Sequence, residues 1–241
     1  MKKKRVYRFF KRLFDIVASF LGIIVSSPIW LITIIGILVS DPGPIFYKAV
    51  RIGKDNKEFA MWKFRSMRVP KEDSEKSEAS FKADTNRIFA FGALIRRLKI
   101  DELPQLLNIF GGSMSIVGPR PAAKDQVEVM RAGKYVIAAS VKPGITGPAA
   151  LYDYIYGDTV EDPDEYIKLV LPTRLELEAY YPEHMGAWYD IKMIWYTAVC
   201  VLASLFKKEP KKIFKELISC VSVEVSDVSS EKTVDIETSN I

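Results

Sequence analysis

From Leu13 to Val39 the chain is apolar-rich for 27 residues, interrupted near the middle by Ser26-Ser27-Pro28 and bordered by cations on both sides. Length alone would let this stretch cross a bilayer, since a straight helix of that size reaches about 40 Å against a hydrocarbon core of about 30 Å. Three features oppose a crossing. Pro28 removes a backbone donor, and the serine hydroxyls beside it can satisfy the carbonyl it strands. Each half is then about 13 residues, or about 20 Å, too short to span. Both borders are also cationic: Lys2, Lys3, Lys4, Arg5, Arg8, Lys11 and Arg12 come before the run and Lys48, Arg51, Lys54 and Lys57 after it. Cationic borders stay on the cytosolic side and grip anionic headgroups. The stretch therefore reads as a helix that enters the membrane, bends at Pro28 and returns. A single span kinked at the proline is the other form the residues allow. A secretory signal would show a shorter apolar region and a small-residue cleavage site, and the run has neither.

This reading divides the chain into a basic N-terminus with a re-entrant membrane helix (1–40), a main domain (41–206) and a weakly ordered tail (207–241). Asp41-Pro42-Gly43-Pro44 ends the helix, and Ile45–Ile52 and Glu58–Met67 read as strands of a small β-hairpin around Gly53-Lys54-Asp55-Asn56. Strand alternation puts Met61, Lys63, Arg65 and Met67 on one face, so two cations project together, as a diphosphate would require. Pro70–Asn86 is polar and reads as a loop that could cover a site. Arg87–Leu98, with Ile88, Phe91, Leu94, Ile95 and Leu98 on one stripe, is an amphipathic helix. Asp164–Tyr181 reads as helical. Met193–Phe206 is apolar but reaches only about 21 Å, which suits an interfacial helix with Trp188 and Tyr189 at one end and Lys207-Lys208 at the other. Beyond Lys212 only a short turn from Ile213 to Ile218 is patterned. The fold class is α+β and mostly α-helical.

Function concentrates in Lys99–Pro121, K-I-D-E-L-P-Q-L-L-N-I-F-G-G-S-M-S-I-V-G-P-R-P. Asp101 and Glu102 stand before an apolar run with Leu103, Leu106, Leu107 and Phe110 at helical spacing, which places both acids in a first helical turn. Pro104 fits a helix start, Gly111-Gly112 an end, and Pro119-Arg120-Pro121 a stiff cationic turn. Arg96, Arg97 and Lys99 add positive charge upstream. With one histidine, His184, and two cysteines, Cys200 and Cys220, the 241 residues offer neither a histidine-rich metal centre nor a Ser-His-Asp arrangement. A carboxylate can attack phosphorus without such a partner, being already ionised at neutral pH. The net charge of +5 permits nucleic acid, anionic lipid or a phosphorylated substrate. Its placement beside membrane-length apolar segments disfavours nucleic acid.

The string around Asp101-Glu102 resembles the signature of the bacterial polyprenyl-phosphate sugar-1-phosphate transferases, the monotopic phosphoglycosyl transferases, in which an Asp-Glu dyad precedes Leu-Pro and Pro-Arg-Pro follows. Lys63-Phe64-Arg65-Ser66-Met67, Arg96 five residues before Asp101, and Lys142-Pro143-Gly144-Ile145-Thr146-Gly147 match in order, so the resemblance spans about residues 9–205. It departs at Pro148–Tyr154, where many members carry Trp-Ala-Gln and then Gly-Arg. The resemblance implies a re-entrant helix broken at Ser27-Pro28 and interfacial helices around a cytosolic catalytic core at the inner membrane. It also implies transfer of a sugar-1-phosphate from a UDP-sugar to polyprenyl (undecaprenyl) phosphate, with release of UMP, as the first membrane step of glycoconjugate or exopolysaccharide assembly. In that scheme Asp101 is the nucleophile that forms an aspartyl-phosphosugar, Glu102 holds Mg²⁺, and Lys63, Arg65, Arg96, Pro119, Arg120 and Pro121 bind phosphate and nucleotide. A non-catalytic anchor on anionic lipid is the alternative from another class. The residues leave open which sugar is used and whether a homo-oligomer forms.

Overall fold

The computed structural model describes residues 2–68, 85–160, 162–206 and 210–221. It opens on α1 (Lys2–Ser40), a helix turned inside out relative to one in a water-soluble protein. Its inward stripe carries Asp15, Ser19, Ser26 and Thr33, all buried, while Phe14, Phe20, Leu21, Ile24, Leu31, Ile32 and Ile35 face outward. Spacings of four and seven residues put the polar set on one face. Apolar side chains outward suit lipid tails rather than water, and Arg5–Ser40 is long and apolar enough to cross a membrane by length and composition.

The expected break at Pro28 does not interrupt the helix, which runs through it. The hydroxyl at work is Ser26, which donates to the Gly22 carbonyl (2.6 Å) and accepts from the Trp30 indole (3.0 Å). Packing on either side of Pro28 explains the continuity. Leu106 lies against Gly22 upstream, and Trp30 meets Phe64 edge-on at 5.2 Å downstream. Tertiary contacts of this kind outweigh a local proline defect.

Both ends of α1 are pinned to the body. Asp15 accepts from the Ser115 hydroxyl (2.8 Å) and the Ile116 amide (3.0 Å). Asp190 accepts from Tyr7 and Lys11, each at 2.5 Å, and from Tyr181 at 2.7 Å. Arg12 donates to the carbonyls of Ile109 and Phe110. At the far end Ile37 is fully buried with Phe64, Phe89 and Ile95.

β1 (Phe46–Ile52) and β2 (Glu58–Phe64) form the expected antiparallel hairpin, with Tyr47 opposite Lys63. In the turn Asp55 and Asn56 adopt positive φ, which these two residue types tolerate best after glycine. β2 stops at Phe64 rather than Met67; the Arg65 amide still donates to the Ile45 carbonyl, while its side chain goes to Asp41. Met67 instead bridges to Ile88. α2 (Ala90–Arg97) leads by a tight turn to α3 (Gln105–Gly111), which Gly112 ends at φ 91°. β3 (Ser115–Val117) runs parallel to β5 (Gly144–Thr146), and β4 (Ala122–Ala123) extends the hairpin sheet to the order β2-β1-β4. Between β4 and β5 lies the short α4 (Val127–Met130).

The main core gathers α5 (Pro148–Ile155), α7 (Leu171–His184), α8 (Ala187–Leu205) and α9 (Lys211–Ser219) around Leu151, Leu177, Tyr181, Met193 and Leu217. The helix expected over Asp164–Tyr181 is two, α6 (Pro163–Leu169) and α7, since Pro172 cannot donate across the junction. The expectation of a weakly ordered tail is corrected for 211–219: α9 buries Ile213 and Leu217, and Lys192 and Tyr196 of α8 both donate to Glu216. The rest of that tail, 222–241, lies outside the described residues. α8 begins six residues before the expected interfacial helix and presents Trp188, Ile191, Trp195 and Leu202 outward, as does Phe206 just past its end.

Candidate active site

The dyad sits in a 3₁₀ turn, Ile100–Glu102, rather than in the first turn of α3, which starts three residues later behind Pro104. Lys99 makes the corner. Its φ of 54° is left-handed, a conformation that costs a non-glycine residue about 1 kcal/mol, and it folds the chain back from α2 so that Asp101 points inward.

Asp101 is 4% exposed, and among the described residues no hydrogen bond ends on its carboxylate. Burial pushes its pKa up; Lys63, Arg96 and Lys99 oppose that, and the neighbouring Glu102 adds to it. Glu102 behaves oppositely. Its side chain is 26% exposed and accepts from the Lys63 ammonium at 2.9 Å. Burial works against its charge, but Lys63, Arg120 and Lys99 outweigh burial and hold its carboxyl down at about 2. The pair is thus an ionised glutamate beside an aspartate whose proton affinity has been raised, the divergence that marks sites with two roles.

The Pro119–Pro121 turn is set against the Lys142–Gly147 segment by glycines. A Cβ on Gly118 would lie 2.4 Å from the Lys142 carbonyl oxygen, and one on Gly144 would lie 2.1 Å from the Gly118 nitrogen. Backbone pairing locks the two together: the Gly144 amide donates to the Pro119 carbonyl, and the Gly118 amide donates to the Thr146 carbonyl. Pro119 is buried, Pro121 is half-buried and Arg120 reaches out. Arg120 donates to Asp153 at 3.0 Å.

Asp153 was not among the sequence-derived site residues, and behind it lies a buried chain of charge. Tyr166 donates to Asp153 (2.7 Å), Arg174 donates to Tyr166 (2.7 Å) and to Glu178 (3.3 Å), and Arg131 approaches Glu178 at 3.5 Å. The one sequence signal was indirect: Asp153 stands in the stretch that departs from the resembled pattern. Lys99, read from the sequence only as positive charge upstream of the dyad, pairs with Asp158 at 3.2 Å and lies 5.2 Å over the Tyr154 ring.

Of the expected site residues, Lys63, Arg96 and Arg120 act on the dyad. Arg96 also donates to the Met67 sulfur at 3.5 Å. Arg65 does not project with Lys63. It is 4% exposed, its donors close on Asp41 and the Pro44 carbonyl, and Phe89 lies against it. Ser27 and Pro28 lie in α1 and are exposed. The loop expected to cover the site falls, for 70–84, outside the described residues.

The sequence pattern of the family described as bacterial sugar transferase matches residues 6–204. A UDP-glucose:undecaprenyl-phosphate glucose-1-phosphate transferase of Xanthomonas campestris pv. campestris is 38% identical over 80% of this chain and 38% of its own length. A UDP-N-acetylgalactosamine-undecaprenyl-phosphate N-acetylgalactosaminephosphotransferase of Aeromonas hydrophila is 34% identical over 82% of this chain and 44% of its own. An uncharacterized sugar transferase of Bacillus subtilis (strain 168), EpsL, is 36% identical over 80% of this chain and 88% of its own. The chain thus spans about two fifths of the first two relatives.

Proposed function

The chain belongs to the bacterial sugar transferase family, and from that premise we propose that it moves a sugar-1-phosphate from a UDP-sugar to polyprenyl (undecaprenyl) phosphate, releasing UMP. The observation that carries this reading is a buried aspartate beside an ionised glutamate, with Lys63, Arg96, Lys99 and Arg120 acting on the pair. Asp101 attacks the β-phosphorus of the nucleotide sugar. The new bond is carboxylate oxygen to phosphorus; the bond that breaks is the diphosphate bridge, whose electrons leave with UMP. An oxygen of polyprenyl phosphate then attacks the same phosphorus and frees Asp101. Burial serves both steps, because a desolvated carboxylate is a stronger nucleophile and a site closed to water protects the phosphoaspartate. Lys63 keeps the carboxylates charged, and Arg96, Lys99 and Arg120 face the phosphates and their developing charge. Arg65 is assigned to holding the Asp41–Pro44 corner rather than to substrate.

The donor set fits Mg²⁺. Glu102 supplies an ionised hard oxygen ligand, and its second oxygen is free of the Lys63 bond. Among the described residues no three His, Cys, Asp or Glu side chains form a cage, which suits an ion that takes one or two carboxylates and completes its shell from phosphate and water. Bound there, Mg²⁺ would offset charge on the diphosphate.

The packing of α1 supports its dipping into the cytoplasmic membrane and returning, which a continuous helix achieves by bending near Pro28 without losing its turns. Asp15 near one end and Ile37 near the other both bury against the same body, whereas a straight crossing would carry one end away from it. The outward Trp188 and Trp195 of α8 would then lie at the interface. A non-catalytic anchor would have no use for a carboxylate buried among cations.

The test is incubation with labelled UDP-sugars and Mg²⁺ in the absence of acceptor. Wild type should accumulate a sugar-phosphate adduct on Asp101, visible by mass spectrometry, and Asp101→Asn should fold normally and form none. Undiminished turnover in the variant would overturn the proposal.

A further inference from the structure

Away from the dyad, the first turns of α1 meet the hairpin turn and the segment before β5 around a cavity of about 130 Å³ whose lining includes Arg8, Lys11, Arg12, Lys54 and Lys142. Its carboxylate, Asp15, is committed to Ser115 and Ile116. Lys11 is answered by Asp190 and Lys54 by Asp55. Among the described residues Arg12 donates to the neutral carbonyls of Ile109 and Phe110 and pairs with no carboxylate. Among the described residues no carboxylate lies within ion-pair distance of Arg8 or Lys142. The two innermost cations overhang one glycine: a Cβ on Gly112 would be 3.1 Å from Arg12 Nη2 and 3.3 Å from Lys142 Nζ.

Like charges gathered in a partly closed space repel unless an anion joins them. Burial first, and then Arg12 and Lys54, hold the Lys142 pKa below the ordinary lysine value, with Asp15 alone opposing. On the same turns of α1, Phe9, Phe10, Leu13 and Phe14 are exposed. Cations and outward apolar side chains at one level match the boundary between lipid headgroups and acyl chains.

We propose that this cavity holds the phosphate of an anionic phospholipid headgroup, with Arg8, Arg12 and Lys142 as its ligands. The site would set the depth of α1 in the bilayer, and it stands independently of the reaction proposed above. The start of α1 and the approach to β5 would both be fastened to the membrane surface through one phosphate.

The experiment is acetylation of Lys142 in the full-length chain, followed by mass spectrometry. Vesicles of phosphatidylcholine with and without phosphatidylglycerol are compared with inorganic phosphate and with short-chain polyprenyl phosphate in micelles. The expected result is severalfold slower labelling of Lys142 with phosphatidylglycerol vesicles only, abolished by Arg8→Gln. In flotation, Lys142→Gln should lower partitioning onto phosphatidylglycerol vesicles about fivefold, the worth of one cation near an anionic surface. Equal protection by both vesicle types would mean general membrane burial. Protection by inorganic phosphate or polyprenyl phosphate in place of phosphatidylglycerol would reassign the site. Either result, or no protection at all, overturns the proposal.

Discussion

Replacing Lys63 by methionine keeps most of the side-chain length and removes the charge that both carboxylates depend on. The Lys63 ammonium lies 2.9 Å from Glu102 and is the first attractive influence on each acid. Glu102 is held at about 2 against an ordinary 4.5, a gap worth about 3 kcal/mol in favour of the ionised form. Lys63 supplies the largest part of that, so its loss should cost about 2 kcal/mol at pH 7, or about 5 °C in Tm for a chain of this size. The sharper effect is on activity. Without Lys63, burial of Asp101 goes unopposed by its main counter-charge, and its pKa rises further. The acidic limb of the kcat/KM profile should then move up by about 1 to 2 pH units, the usual effect of losing one close opposite charge. UMP release from pH 5 to 9, with polyprenyl phosphate and saturating Mg²⁺, measures it. An unmoved limb with turnover intact would refute the idea that Lys63 keeps Asp101 ionised.

Further outcomes follow from the same geometry. Glu102 has a folded pKa below its unfolded one, so its contribution to stability is complete above pH 4.5 and should fade as pH falls toward 2; chemical denaturation across that range should show a slope that Glu102→Gln lacks. Asp153→Asn should cost about 3 kcal/mol by leaving Arg120 and Arg174 without their shared carboxylate. Arg120 would lose its position with it, so KM for the UDP-sugar should rise more than kcat falls, a split that a purely structural role would not produce. Gly92→Ala would put a methyl 2.1 Å from the Ser66 carbonyl oxygen and should destabilise by about 3 kcal/mol by denaturant titration, because backbone rather than a yielding side chain is in the way. The double change Trp188→Gln and Trp195→Gln, at side chains 78% and 65% exposed, should leave Tm unchanged and weaken vesicle binding about tenfold or more.

Much of the fold was legible because the signals are short-ranged. An apolar run of helical length, a Gly-Lys-Asp-Asn turn between alternating strands, and a Gly-Gly stop after an amphipathic stretch each act through neighbouring residues. The end of α1 at Ser40, the pairing of β1 with β2 and the end of α3 accordingly stand where the residues placed them, whereas α1 runs on through Pro28 and β2 stops three residues short. The dyad was legible as a motif but not in its setting: a left-handed Lys99 and a 3₁₀ turn follow from how α2 and α3 must pack, and no periodicity announces them. Pro28 shows the same limit, since its local penalty is plain in the sequence while Leu106 and Phe64, which keep the helix whole, are remote from it.

What the sequence determined by itself was the inventory: an apolar helix with cations at both borders, two adjacent acids before Leu-Pro, and enough lysine and arginine to meet phosphates. Tertiary structure alone decided which charge answers which. Lys63 went to Glu102, Arg65 to Asp41, Arg120 to Asp153, and Arg8, Arg12 and Lys142 were left facing a common cavity. The reason is physical. Backbone preference is set by near neighbours along the chain, whereas the energy of a charge depends on burial and on partners brought close only when distant segments meet.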